Sequence, residues 1–306
     1  MDQGIGLWGI PLAMLGGMIR VSTPYLFVSL GETITEKSGR VNLGLEGTLV
    51  LGAVSAYGVS YLTGQPWLGV LCAGLCGVAL GALHAWLCGR PRVNHVAVGI
   101  AIMLFGTGLA FYVGKPLIQP EAPQLPAIDF GAFSSIPALR EALRVNPLFL
   151  LGLALAPLLN YVFQNTRWGL VLRMVGESAD AARALGYSVE RVRLLATMAG
   201  GFLSGIGGSF LSLYYPGIWN EGLSSGQGLI AVALVIFARW NPVHCLYASL
   251  IYGAAGSIGS ALQSAGIQVS PHLLGTTPAV LTLVIMIATC SRDRALAGTP
   301  RELSMG

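Results

Sequence analysis

Nine apolar runs set the outer limits on what this chain can fold into. They are Arg20–Glu36, Leu45–Thr63, Pro66–Cys88, Val93–Gly114, Pro147–Phe163, Leu194–Tyr214, Gly226–Ala238, Pro242–Gln263 and Thr276–Ser291. A helix needs about twenty apolar residues to cross a bilayer. Inside lipid every backbone polar group has to be satisfied within the protein, which leaves helices and closed barrels as spanning structures. Apolar runs near that length read as spanning helices. The expected fold is therefore all-α, a polytopic transmembrane bundle of about 8–10 spans. The segment Ile5–Ile19 is expected to form a surface helix leading into the first span.

Composition agrees. Hydrophobic residues make up 54% of the 306, and charged ones 10%, against about 25% in a soluble domain. The 42 glycines suit close helix packing in a membrane. The formal charge of +4 is explained by orientation, so no nucleic-acid partner is expected. Cys72, Cys76, Cys88, Cys245 and Cys290 lie in or beside apolar runs without a Cys-x-x-Cys pair. They read as buried small hydrophobes, with no disulfide or metal site expected. Asp2 is the only charged side chain before Arg20, so no cleaved signal peptide is expected.

Basic residues orient the spans. The loop Gln164–Arg193 carries Arg167, Arg173, Arg183, Arg191 and Arg193 against three acids, whereas Lys115–Asn146 is balanced. The positive-inside bias makes the first loop cytoplasmic and the second external. Counting outward, thirteen of the 17 Lys and Arg fall inside, with the N-terminus external and the C-terminus cytoplasmic. Trp168 and Trp240 then mark inner boundaries, Trp67 and Trp219 outer ones, as an aromatic belt. The Pro-rich loop Lys115–Asn146 reads as a structured external cap. One transmembrane domain over residues 1–306 accounts for the whole chain.

The interruption between the first two spans carries the functional signal. Residues Glu32-Thr-Ile-Thr-Glu-Lys-Ser-Gly-Arg-Val-Asn-Leu-Gly-Leu-Glu46 place charge and glycine between apolar segments, so a broken or re-entrant element is expected near residues 36–47. Non-helical backbone at membrane depth is tolerated only where protein or a wet cavity surrounds it, and ionisable groups there mark a pathway. Interrupted helices are where transporters hold substrate. Asn42 and Glu46, four apart, are expected to share a helix face. Asn94 and His95 open the fourth span. All four are candidates to line a substrate path, since amides and carboxylates bond ribose hydroxyls and base edges. The structural alternative has Asn42 capping a helix and Glu46 pairing with Lys37 or Arg40.

A second signal lies in the basic loop. From Glu177 to Leu185 an alanine-rich run with early acids favours a short helix that Gly186 can end. Its low side-chain bulk lets another protein approach the backbone. Glu177, Asp180, Ala181, Ala182, Arg183 and Gly186 are the candidate contacts. Gly77-Val-Ala-Leu-Gly81 and Gly201-Phe-Leu-Ser-Gly205 are small-xxx-small steps, read as packing within the chain ahead of a dimer interface. Asn220 and Glu221, in the external Tyr214–Ser225 loop, are candidates to meet an external partner. No Gly-x4-Gly-Lys-Ser/Thr phosphate loop is present, since Gly114-Lys115 leads into Pro116.

The loop Arg167–Gly186 is similar to the cytoplasmic coupling segment of bacterial ABC importer permeases. Leu30–Gly47, and Ser225-Gly-Gln-Gly-Leu-Ile-Ala-Val-Ala through Arg239-Trp-Asn-Pro242, resemble the nucleoside and simple-sugar branch, akin to branched-chain amino acid and ribose permeases. Three motifs in order carry the resemblance from about Ser22 to Ser291. It implies a non-catalytic permease in a bacterial plasma membrane, with no cofactor of its own. ATP is used by a partner ATPase subunit. A second permease, homologous or identical, and an extracytoplasmic substrate-binding protein complete the machine, and nucleosides are the expected cargo. His95 and Met103 depart from the family pattern, where an acid or amide and an Asn are usual, which bears on substrate identity. Simple-sugar and flavin-type permeases are the alternatives. A third alternative is an ion-coupled secondary carrier with Glu32 and Glu36 as proton sites. The histidines (His84, His95, His244, His272) show no ligand spacing, so a membrane enzyme is not expected.

Overall fold

A computed structural model describes residues 10–90, 92–118, 120–128, 145–264, 280, 284 and 298–304. The long helices are α1 (Ile10–Lys37), α2 (Leu45–Thr63), α3 (Pro66–Cys88), α4 (His95–Gly114) and α5 (Pro147–Asn165). Two short ones, α6 (Arg167–Glu177) and α7 (Ala179–Ala184), precede α8 (Val189–Leu213). After these come α9 (Gln227–Phe237), α10 (Pro242–Ser264) and the single turn α11 (Arg301–Ser304). Seven helices among the described residues are long and apolar enough to cross a membrane. The polytopic all-α bundle is as expected. The ninth expected run, Thr276–Ser291, lies almost wholly outside the described residues.

Local chemistry sets the boundaries. Asn94 Oδ1 accepts from Val96 N and Ala97 N and starts α4; Asn146 Oδ1 accepts from Leu148 N ahead of Pro147 and starts α5. Thr166 and Ser178 do the same for α6 and α7. Such caps satisfy N–H groups that the helix itself leaves open.

At the centre, α8 packs against α1, α2 and α3, and α10 runs antiparallel along α1. The most extensive contact joins α3 and α8, and the two glycine steps meet there. A Cβ on Gly81 would fall 2.5 Å from the Thr197 carbonyl oxygen, and one on Gly201 would strike the Gly77 carbonyl. The steps therefore serve packing within the chain. Gly201→Val is expected to destabilise the protein by about 3 kcal/mol through overpacking. Thermal unfolding in detergent should show a clear fall in Tm; an unchanged Tm would refute the contact.

Three boundary expectations are corrected. Of the expected surface helix Ile5–Ile19, residues 5–9 lie outside the described residues, and the rest, from Ile10, continues α1: α10 packs on it, with Ser257 Oγ donating to Met14 O at 3.2 Å. The charged start of α8 belongs to the helix, which begins five residues before the expected Leu194, at Val189. The run Gly226–Ala238 does not span. Its helix α9 has 11 residues, about 16 Å at 1.5 Å per residue, half of a roughly 30 Å hydrocarbon core.

The aromatic belt also needs correction. Trp67 and Trp168 are exposed, but Trp219 and Trp240 are buried. Trp219 Nε1 donates to Gly114 O at 2.9 Å, and Trp240 Nε1 donates to Glu36. A buried indole N–H needs an acceptor, and these two tryptophans tie chain segments together inside the protein. The expected cap is described over residues 115–118 and 120–128, and its residues 119 and 129–144 lie outside the described residues. Pro120 O accepts from Tyr57 Oη, Pro123 O from Ser60 Oγ, and Leu125 N donates to Leu213 O. These contacts fasten the loop across the ends of α2 and α8.

Candidate functional site

Two breaks in the helical backbone meet inside the bundle. The first is the connection 38–44. Arg40 lies at one end of the bundle, donating to Ala85 O at 2.9 Å and Cys88 O at 3.3 Å and pairing with Glu190 at 2.7 Å. Burial lowers the pKa of Arg40, which lies outside the spans, and the Glu190 carboxylate counters that shift. From there the chain climbs back into the bundle. Gly47 touches Met103 and Gly106, midway along α4, so α2 begins at mid-height. Residues 36–47 thus contain the re-entrant element expected from sequence, with the unwound part confined to 38–44.

The second break was not anticipated. After α8 the chain passes Trp219, anchored at the Gly114 end of α4, and then descends to Ser224 and Gly226 beside Glu46. There α9 starts at mid-height. The residue preceding it, Gly226 (φ +82°), offers no side-chain cap. Glu46 supplies the cap from α2: it accepts from Ser224 Oγ at 2.5 Å, Gly226 N at 3.0 Å and Gly228 N at 2.6 Å. A carboxylate at a helix N-terminus answers open N–H donors and the positive end of the helix dipole together. At its far end α9 stops in two successive left-handed residues, Arg239 (φ +52°) and Trp240 (φ +55°), which bring the Trp240 indole to Glu36. The two breaks are therefore tied at Glu46 and again at Glu36.

Asn42 and Glu46 do not share a helix face. Asn42 lies before α2, where its Oδ1 accepts from Gly44 N at 3.0 Å and its own N–H donates to Glu32 at 2.7 Å. Asn42 is 1% exposed and Glu46 8%. Glu46 pairs with neither Lys37 nor Arg40: Lys37 Nζ donates to Gly298 O, and Arg40 holds Glu190. Asn94 and His95 sit apart from them, at the Arg40 end. They line a cavity of about 400 Å³ with Gly39, Arg40, Arg92 and Glu302. The motif around Ser225–Ala233 was legible in sequence, but its role as Glu46's partner had no local signal.

The alanine-rich run forms a shorter helix than expected. Glu177 closes α6 and lies 3.8 Å from Arg301, outside α7 itself. α7 covers Ala179–Ala184, because Ser178 is extended and caps it through Ala181 N. Asp180, Ala181 and Arg183 are exposed, as are Leu185 and Gly186, while Ala182 is buried with Val175, Ala179 and Val189. Gly186 has φ +86° with open space around it; it ends the turn by conformation.

A family model described as the permease component of branched-chain amino acid transport systems matches residues 14–290. Among relatives, TsgC13 of Haloferax volcanii, a candidate glucose ABC transporter permease, is 33% identical over 85% of this chain and 80% of its own. The nucleoside ABC transporter permease NupC of Lactococcus lactis is 30% identical over 89% and 90%. The guanosine ABC transporter permease NupQ of Bacillus subtilis is 28% identical over 90% and 91%. The chain, a multi-pass membrane protein by its helices, therefore belongs to the family of branched-chain amino acid transport system permease components.

Proposed function

We propose that this chain is the membrane subunit of an ATP-driven importer whose cargo is a nucleoside. Its likeness to NupC and NupQ along nine-tenths of both chains carries the cargo reading. The likeness to TsgC13 favours a simple sugar as the second reading. The two share a chemistry, since a nucleoside presents the hydroxyls of a ribose.

In this reading residues 1–306 act as one permease domain in the plasma membrane, with the N-terminus external and the C-terminus cytoplasmic. An ATPase subunit docks on the exposed face of α7, with Glu177 at its edge. A second permease, identical or homologous, completes the pore, and a substrate-binding protein delivers cargo near exposed Glu221 and neighbouring Asn220. ATP binding moves the docked helices as rigid bodies, opening the pore alternately to each side. The seam where α2 and α9 both start inside the bundle supports a path there, since half-helix ends are where transporters hold cargo. Asn42 and Glu46 frame that seam, and Asn94 and His95 border the cytoplasmic mouth.

The test is nucleoside-dependent ATP hydrolysis by the chain co-purified with its genomic neighbours in lipid vesicles. Stimulation by a nucleoside that requires the binding protein is expected. Stimulation by a sugar alone would change the cargo, and uptake by this chain without ATP would refute the importer.

A further inference from the structure

The last described segment, residues 298–304, grips the docking helix and the re-entrant connection with one side chain. Glu302 Oε1 accepts from Ala179 N, the first residue of α7, at 2.8 Å. Its Oε2 lies 3.0 Å from Arg193 Nη2, and Arg193 Nε donates to Ser38 O at 3.1 Å. Arg193 is buried, and the Glu302 side chain is 21% exposed. The fit on the connection is close: a Cβ on Gly39 would fall 2.8 Å from Glu302 Cβ, and Gly39 is left-handed at φ +84°. Lys37 Nζ reaches Gly298 O, and Gly176 packs against Pro300. Two residues on, Arg40 is bonded to the end of α3 and to Glu190 of α8.

The geometry points to Glu302 as a positioning residue that transmits movement of α7 to the connection 38–44, and so to the seam at Asn42 and Glu46. This rests on the reading of α7 as the ATPase-docking helix. A contiguous chain of charge-assisted bonds can pass displacement between elements that move as bodies. Neutralising Glu302 leaves Arg193 without its carboxylate, while the amide oxygen of Gln can still accept from Ala179 N. Glu302 bonds α7 at its first backbone N–H, and the exposed side chains of Asp180, Ala181 and Arg183 are unchanged in the variant.

The test uses the assembled importer with its ATPase and binding protein, comparing wild type with Glu302→Gln and Arg193→Lys. Both variants are expected to hold the ATPase at wild-type stoichiometry and to hydrolyse ATP near the wild-type basal rate. Uptake per ATP is expected to fall about tenfold, a typical size for coupling between sites. Wild-type uptake per ATP in both variants would overturn the transmission role and leave the docking reading standing. Loss of ATPase co-purification, or of both variants from the membrane, would also overturn it, making the contact a support for α7 or for folding. A wild-type complex without ATP-driven uptake would instead refute the docking reading, before any variant is compared.

Discussion

Replacing Glu46 with leucine is expected to remove most of the protein from the membrane. Three donors converge on this carboxylate: Ser224 Oγ, Gly226 N and Gly228 N. All three are left inside the bundle without an acceptor, at about 1–3 kcal/mol each, in a setting where water is scarce. Their sum rivals the whole stability of a typical domain, roughly 5–15 kcal/mol. Glu46→Gln is milder. One oxygen stays in place, but the amide NH2, a donor, faces a backbone N–H, so a loss of about 1–3 kcal/mol is expected. Membrane abundance and Tm in detergent read both changes. The same pair separates the two roles considered for this residue. Lost uptake with an unchanged Tm would mean that Glu46 touches cargo directly, whereas a lowered Tm marks the cap of α9.

Adjacent alanines on α7 are expected to fail in opposite ways. Ala181 is exposed and Ala182 fully buried. Ala181→Trp leaves the fold intact and obstructs the approach of a partner's groove. It should weaken ATPase association by about 2 kcal/mol or more, the scale of an interface hot spot, which is roughly thirtyfold. Uptake should collapse while the protein remains in the membrane. Ala182→Trp must displace Val175 and Val189, at about 1–3 kcal/mol or more, and should lower Tm before it affects association. Gly186 is a less clean probe: its surroundings are open, so Gly186→Val acts by forcing a branched residue to φ +86°. Co-purification of the ATPase beside Tm distinguishes these cases. Undiminished association in Ala181→Trp would refute docking on this face.

The expected class of fold followed from hydropathy because lipid leaves so few structures open to a spanning chain. The break near 36–47 followed from charge and glycine in an apolar setting, and a short helix within 177–185 from its alanines, its early acids and Gly186, although the cap at Ser178 starts it only at Ala179. Each of these is local: the residues that cause it lie within a turn or two of it. Partnerships across the bundle were not legible. Sequence spacing put Asn42 and Glu46 on one face of a helix, whereas Asn42 lies outside it and Glu46 reaches residues 178 to 182 positions away. The run 226–238 is apolar enough to suggest a span, but only the packed bundle starts its helix at mid-height, because Glu46 caps it there. Trp219 and Trp240 carry the composition of a lipid belt, yet the acceptors that bury them come from α4 and α1. Hydrophobic period and helix caps act locally, so a helical membrane protein, its glycine seams and its alanine-rich turn are readable from neighbouring residues alone. The tertiary structure alone decided where the carboxylates are used, since a buried acid takes whichever donors the fold brings within 3 Å.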